Sequence, residues 1–166
     1  VLVAVRKESA AVQHASDALR GDREVVLAAL QSADEYARVL RYASPALRDD
    51  DQLVLNAVSR RGEELESASE RLRADRKIVL AAVTRAATEH GDALQYASAA
   101  LRADKSVVLA AVARSRSQLK SATAELRMDH DAIQLAEGKM EPHNKIVPFT
   151  MHFDGAARGN PGLAGA

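Results

Sequence analysis

Two phrases recur in fixed order from Val1 to Glu137, and this repetition constrains the fold more than any other feature of the chain. The first, Asp-x-x-apolar-Val-Leu-Ala-Ala-apolar, begins at Asp22, Asp75 and Asp104 and, more loosely, at Asp50 and Asp129. The second, Ser/Thr-x-x-Leu-Arg, recurs at Ser16–Arg20, Ser44–Arg48, Ser69–Arg73, Ser98–Arg102 and Thr123–Arg127. A single residue separates each Arg from the Asp that follows it, so the interval from one unit to the next is read directly from Asp22, Asp50, Asp75, Asp104 and Asp129. A unit this short cannot bury an apolar face by itself, so it must stack on its neighbours.

Each phrase has a local physical reading. Asp is a good helix N-cap, because its carboxylate accepts from the free N–H groups of the first turn and suits the helix dipole. The run Val25-Val26-Leu27-Ala28-Ala29-Leu30 is almost wholly apolar, which predicts a short helix buried on most sides. A second helix is expected to carry Leu40, Tyr42 and Ala43 in one unit and Leu94, Tyr96 and Ala97 in another. Ser44-Pro45 reads as an N-cap followed by Pro at N1, opening a short turn that ends on Leu47. The stretch from the Leu of the first phrase to the Ser/Thr of the second alternates between short and long. It is short in Leu2–Ser16, Leu55–Ser69 and Leu109–Thr123, and long in Leu27–Ser44 and Leu80–Ser98. The extra length is about one helical turn, which preserves the facing. No period-2 run appears before residue 145. The expected class is therefore all-α, an α-solenoid of about five short helix-pair repeats.

The wording of these units, in Asp22–Leu30, Asp75–Val83, Ala93–Ser98 and Leu101-Arg102, resembles a family of tandem helical repeats known only as a domain of unknown function. The resemblance covers residues 1–135 and implies a helical repeat fold without implying an activity.

Composition narrows the chemistry of this part. The chain has no Cys, which excludes disulfides, Cys-ligated zinc and thiol catalysis. Lys+Arg equals Asp+Glu at 23 each, so no global charge points to nucleic acid or a membrane. No apolar run approaches the length of a membrane span, and Val1–Val5 lacks a preceding basic segment, so no signal peptide is read. The expectation is an intracellular protein, and the missing initial Met suggests a piece of a longer chain. Arg20, Arg48, Arg73, Arg102 and Arg127 share one register position and on stacked units could form a ladder for phosphates. Basic and acidic residues balance through Asp131 and aromatic stacking partners are few, which favours pairing of each Arg with a capping Asp or a helix-end carbonyl. Asp129-His130-Asp131 reads as a cap with neighbours pointing apart rather than as a metal site, and Asp49-Asp50-Asp51 as one cap with solvated neighbours. His14 occupies the Tyr42 and Tyr96 position and is expected to pack, and His90-Gly91 reads as a helix end. No nucleophile, base and orienting group recur together.

The scarce residues mark a boundary. Both Phe, three of the four Pro and half of the Gly lie after residue 140. The reading is a repeat array over residues 1–137, a linker over 138–147 and a second segment over 148–166. There Phe149, Met151 and Phe153 alternate with Thr150, His152 and Asp154, a strand period, followed by a Gly-rich turn and the start of a returning strand. The string Phe153-Asp154-Gly155-Ala156-Ala157-Arg158-Gly159-Asn160-Pro161-Gly162 is similar to the opening of a type 1 ribonuclease H domain. That resemblance implies a C-terminal β-strand or hairpin stump of a truncated ribonuclease H-like fold over residues 147–166. It implies that Asp154 is the first of four acidic ligands for two Mg²⁺ ions, which activate water and stabilise the leaving oxygen when the RNA strand of an RNA–DNA hybrid is cut. It places Gly155, Ala157, Arg158 and Asn160 at the nucleic acid, with the region of Ala157 and Asn160 near the 2′-hydroxyls.

The chain departs from that family by stopping at Ala166, before the other acidic ligands and the mobile His. The expected reading is a parent ribonuclease acting on hybrids, with this 166-residue chain inactive by itself and holding no Mg²⁺. The alternative is a protein-interaction repeat module with an incidental tail. An isolated hairpin is marginal in water. Residues 140–166 are therefore expected to be poorly ordered, and strong amide-exchange protection there would refute that expectation.

Overall fold

A computed structural model describes residues 9–32, 38–85 and 92–139. These residues form helices and turns, with no strand among them. Four-residue helices alternate with longer ones: α1 (Asp17–Arg20), α2 (Arg23–Ser32), α3 (Pro45–Arg48), α4 (Asp51–Arg60), α5 (Glu70–Arg73), α6 (Arg76–Thr84), α7 (Ala99–Arg102), α8 (Lys105–Arg114), α9 (Ala124–Arg127) and α10 (His130–Ala136). Short 3₁₀ segments precede the four-residue helices, at Ser9–His14, Leu40–Tyr42, Gly62–Ser67, Leu94–Tyr96 and Arg116–Ser121.

The caps lie where the phrases place them. The Asp50 and Asp75 carboxylates accept from the N–H of Leu53 at 2.7 Å and of Ile78 at 3.0 Å, and Asp22, Asp104 and Asp129 serve α2, α8 and α10 likewise. Ser44, Ser69 and Ser98 accept through their hydroxyls from the N–H of Leu47, Leu72 and Leu101. Counting from each capping Asp, positions 3, 4, 7 and 8 form the core stripe of a helix. They are Val25, Val26, Ala29 and Leu30 in α2, Leu53, Val54, Ala57 and Val58 in α4, Ile78, Val79, Ala82 and Val83 in α6, and Val107, Val108, Ala111 and Val112 in α8, all buried. The third member is Ala every time and fully buried, the small side chain that lets neighbouring backbone come close. Helix α4 packs on α6, α6 on α8, and α8 on α10.

Units are also joined through the backbone. A four-residue helix leaves its last carbonyl without an intrahelical partner, and an N-cap residue has a free N–H. The two meet across each junction: Ser44 N–H donates to Arg20 O at 3.0 Å, Ser69 to Arg48 at 2.9 Å, Ser98 to Arg73 at 2.9 Å and Thr123 to Arg102 at 3.2 Å. The residue before each donor (Ala43, Ala68, Ala97, Ala122) is extended, ψ 154° to 164°, and turns the chain into this contact.

The structure corrects three expectations. The second helix of each unit is a short 3₁₀ turn followed by a four-residue α-helix, because its Ser/Thr cap interrupts the run. His14 is exposed beside Gln13 and does not pack, whereas Tyr42 and Tyr96 are half-buried against the core. Asp49 and Asp51 are not merely solvated, since both are held by Arg71. The alternating insertions, the 140–166 segment and the His90-Gly91 helix end lie outside the described residues.

Gly62 shows how tight the stack is. A Cβ built there would collide with Ala82 O and lie 3.2 Å from the Ala93 Cβ. Gly62→Ala is expected to lower stability by about 1–3 kcal/mol through overpacking against backbone. A chemical melt of the variant that matches the parent would contradict this contact.

Candidate functional site

The arginine that ends each four-residue helix is the most regular chemical feature of the array. From Arg20 to Arg102 its carbonyl makes the junction bond, which fixes the backbone and leaves the guanidinium to the surroundings. Arg20 behaves as expected, with Nε donating to Ala15 O at 3.0 Å and an ion pair to Asp17 at 3.1 Å. Arg48, Arg73 and Arg102 do not. Each is half-buried, and the Nε of each is sealed from solvent without an acceptor. Among the described residues none of the three forms an ion pair or a side-chain hydrogen bond, so the anticipated pairing with capping Asp residues fails at the three central units. Arg127, at the last unit, is exposed.

The capping Asp residues are instead claimed by a different cation, the residue that follows the cap of the preceding unit. Arg23 Nε lies 3.2 Å from Asp50, Arg76 pairs with Asp104, and Lys105 Nζ reaches Asp129 at 2.9 Å and Asp131 at 2.7 Å. Asp129 and Asp131 therefore do converge, around an ammonium rather than a metal. At the remaining junction the residue after the cap is Asp51, and the polarity is reversed: Arg71 bonds Asp49 Oδ1 at 3.1 Å, Asp49 O at 2.7 Å and Asp51 Oδ1 at 2.7 Å. Cap bonds and cations hold several carboxyls below their ordinary range. The leading cause is the Leu53 N–H for Asp50, the Ser106 hydroxyl for Asp104 and Lys105 for Asp129. Exposed pairs of this kind contribute little to stability.

A second set of polar groups is buried. The Glu64 carboxylate, 2% exposed, accepts from the N–H of Val39 at 2.7 Å and of Leu40 at 3.1 Å. Two units later Gln118 does the same work, accepting from Leu94 N–H at 3.3 Å and donating to Val83 O at 3.2 Å and Ala111 O at 2.9 Å. The interval from Glu64 to Gln118 equals that from Arg38 to Asp92 and from Glu66 to Lys120, and over it the neighbouring contact exchanges its charges. Arg38 pairs with Glu66, while Asp92 pairs with Lys120 at 3.7 Å and accepts from Ser121 Oγ at 2.5 Å. The true structural period is thus a pair of units. None of these residues was singled out by motif reading. A self-alignment offset by two units is the signal that finds them, because Glu64/Gln118 and the charge-exchanged Arg38–Glu66/Asp92–Lys120 then fall in register.

These polar groups hold backbone and match charge between units. Among the described residues no group of three or more His, Asp or Glu is placed to hold a metal ion, and no helix is long and apolar enough to cross a membrane. Asp154, Gly155, Ala157, Arg158 and Asn160 lie outside the described residues, so the structure does not bear on the Mg²⁺ or nucleic-acid roles implied for them.

The family model for the domain of unknown function DUF4116 matches residues 1–48 and again residues 50–88, just over half of the chain. The chain belongs to this family. The first DUF4116 match takes in two of the short units, in agreement with the paired period of the Glu64 and Gln118 contacts. Nothing among the curated proteins or the solved structures matches the chain.

Glu64 and the caps give the fold opposite responses to pH. Burial pushes the Glu64 carboxyl above its ordinary value of 4.5, outweighing the two backbone N–H groups and the Arg61 and Arg38 charges. The folded chain then binds that proton more tightly than the unfolded chain. This contribution is complete below pH 4.5 and is lost as pH rises through the raised pKa. The lowered Asp50, Asp104 and Asp129 carboxyls act the other way: their contribution is present above the ordinary 3.8 and is lost as pH falls. Glu64→Gln is expected to place its amide on Ala29 O and Ala57 O, as Gln118 does on its own neighbours, and to gain stability over the parent increasingly as pH rises above 4.5. Melts from that pH to neutrality would contradict this if the variant lost ground as pH rose.

Proposed function

We propose that the DUF4116 repeats form an α-solenoid scaffold whose role is to present an extended surface to a binding partner. The observation that carries this reading is the junction bond, which recurs at each of four successive joints and sets one Arg side chain per unit in the same register. The shared core register of α4, α6 and α8, which pack in succession, supports regular stacking. An array of this kind gains binding surface by repetition rather than by a single cleft.

A second reading concerns the longer protein, and a specific stretch of sequence favours it. The string Phe153–Gly162 supports a parent in which the scaffold precedes a type 1 ribonuclease H-like domain. In that parent Asp154 would supply one Mg²⁺ ligand, and Gly155, Ala157, Arg158 and Asn160 would approach the RNA–DNA hybrid. One carboxylate cannot hold two cations, so the chemistry needs acidic residues from beyond Ala166.

The two readings are separated by one assay. The purified 166-residue chain is expected to leave a labelled RNA–DNA hybrid intact in Mg²⁺, whereas a chain extended through a Glu and two Asp in family spacing cuts it and loses activity on Asp154→Asn. Absence of those acidic residues downstream would remove the nuclease reading and leave the scaffold.

A further inference from the structure

The three unpartnered arginines at the centre of the array are not explained by the fold. Their carbonyls are used, but among the described residues their guanidiniums are not: each Nε is sealed without an acceptor, and the terminal nitrogens, which carry no partner and are not sealed, face solvent. A half-buried cation without a counter-ion is unfavourable, and a protein gains nothing structural by repeating it at three successive units. The capping Asp residues that could have neutralised two of them are held elsewhere, Asp50 by Arg23 and Asp104 by Arg76. What remains is the terminal N–H edge of one planar guanidinium per unit at Arg48, Arg73 and Arg102, on a backbone fixed by the junction bond of the same residue.

We infer that Arg48, Arg73 and Arg102 form a ladder that binds an extended acidic peptide, one carboxylate to each rung. This rests on the scaffold reading and adds the chemical class of its partner. Side-by-side helices lie about 8–10 Å apart, which is about three residues of polyproline II chain, and with three residues per turn that chain shows every third side chain on one face, so the matching peptide carries Asp or Glu at every third position. A polyphosphate fits less well. It carries charge at every nucleotide, and the equal numbers of basic and acidic residues in the chain leave no excess of cations to match it. The helices that bear the rungs, Pro-Ala-Leu-Arg, Glu-Arg-Leu-Arg and Ala-Ala-Leu-Arg, also offer no aromatic ring for a base to stack on.

The test uses the full chain and a fluorescein-labelled nonapeptide with Glu at its second, fifth and eighth positions, a Gln-substituted control peptide and a single-stranded oligothymidylate, read by anisotropy. Saturable binding of the Glu peptide is expected, with none of the Gln peptide. Arg48→Gln, Arg73→Gln and Arg102→Gln should each weaken it about three- to tenfold, and the triple variant should abolish it. The triple variant should melt at or above the parent temperature, because no partner is left behind. Arg73→Glu paired with a peptide carrying Lys at the fifth position should recover binding, a readout that a structural role would not move. Unchanged affinity in the single variants, or no binding of the Glu peptide, overturns the inference. Oligothymidylate binding that is tighter than the peptide and lost in the triple variant also overturns it, yet leaves the scaffold reading standing. Loss of every ligand together with a large fall in melting temperature in all variants would assign the arginines to stability and overturn it as well.

Discussion

The backbone hydrogen bond from a Ser or Thr N–H to the carbonyl of the Arg that ends the preceding four-residue helix is the contact on which the array depends. Helices this short cannot satisfy their own ends and would not persist alone. Joining an orphan donor in one unit to an orphan acceptor in the previous one removes two unsatisfied groups at once. It also fixes the distance between units, so that α4 meets α6, α6 meets α8 and α8 meets α10. The fully buried Ala at the third stripe position and the close approach of Gly62 to Ala82 follow from that spacing.

Electrostatics then chooses the partner at each junction. Three junctions place a cation after one capping Asp against the next capping Asp, and the fourth reverses the direction through Arg71. The exchange of Arg38–Glu66 for Asp92–Lys120 at the same structural place has the same meaning: the contact is kept while its sign is free. These local pairings each add one charge of each sign and so keep the composition balanced where they occur. That balance says nothing about the three guanidiniums that the pairings leave out.

Much of the architecture was legible because it is local. An Asp with apolar residues three, four, seven and eight positions later specifies a capped helix and its buried face, and the caps and the core stripe of the long helices stand where that pattern puts them. The 3₁₀ character of the second element was not legible, because Leu40–Tyr42 and Leu94–Tyr96 carry no periodicity long enough to distinguish it from an α-helix. The fate of the register arginines was not legible either. A guanidinium two positions before an Asp looks like its natural partner, but the side chains diverge once the Asp turns to its own helix and to the cation of the preceding unit. Glu64 and Gln118 escaped motif reading because each lies among polar neighbours (Glu63 and Glu66, Ser117 and Lys120) and takes a partner from another unit.

Backbone rungs join the units. Native-state hydrogen exchange at the amides of Ser44, Ser69, Ser98 and Thr123 tests this most directly. Protection equal to that of the buried helix amides at Val54, Val79 and Val108 is the expected result, since opening a rung then requires opening the stack. Exchange at the rate of a fraying turn, with the long helices still protected, would show that side-chain packing alone holds the array and would contradict the account.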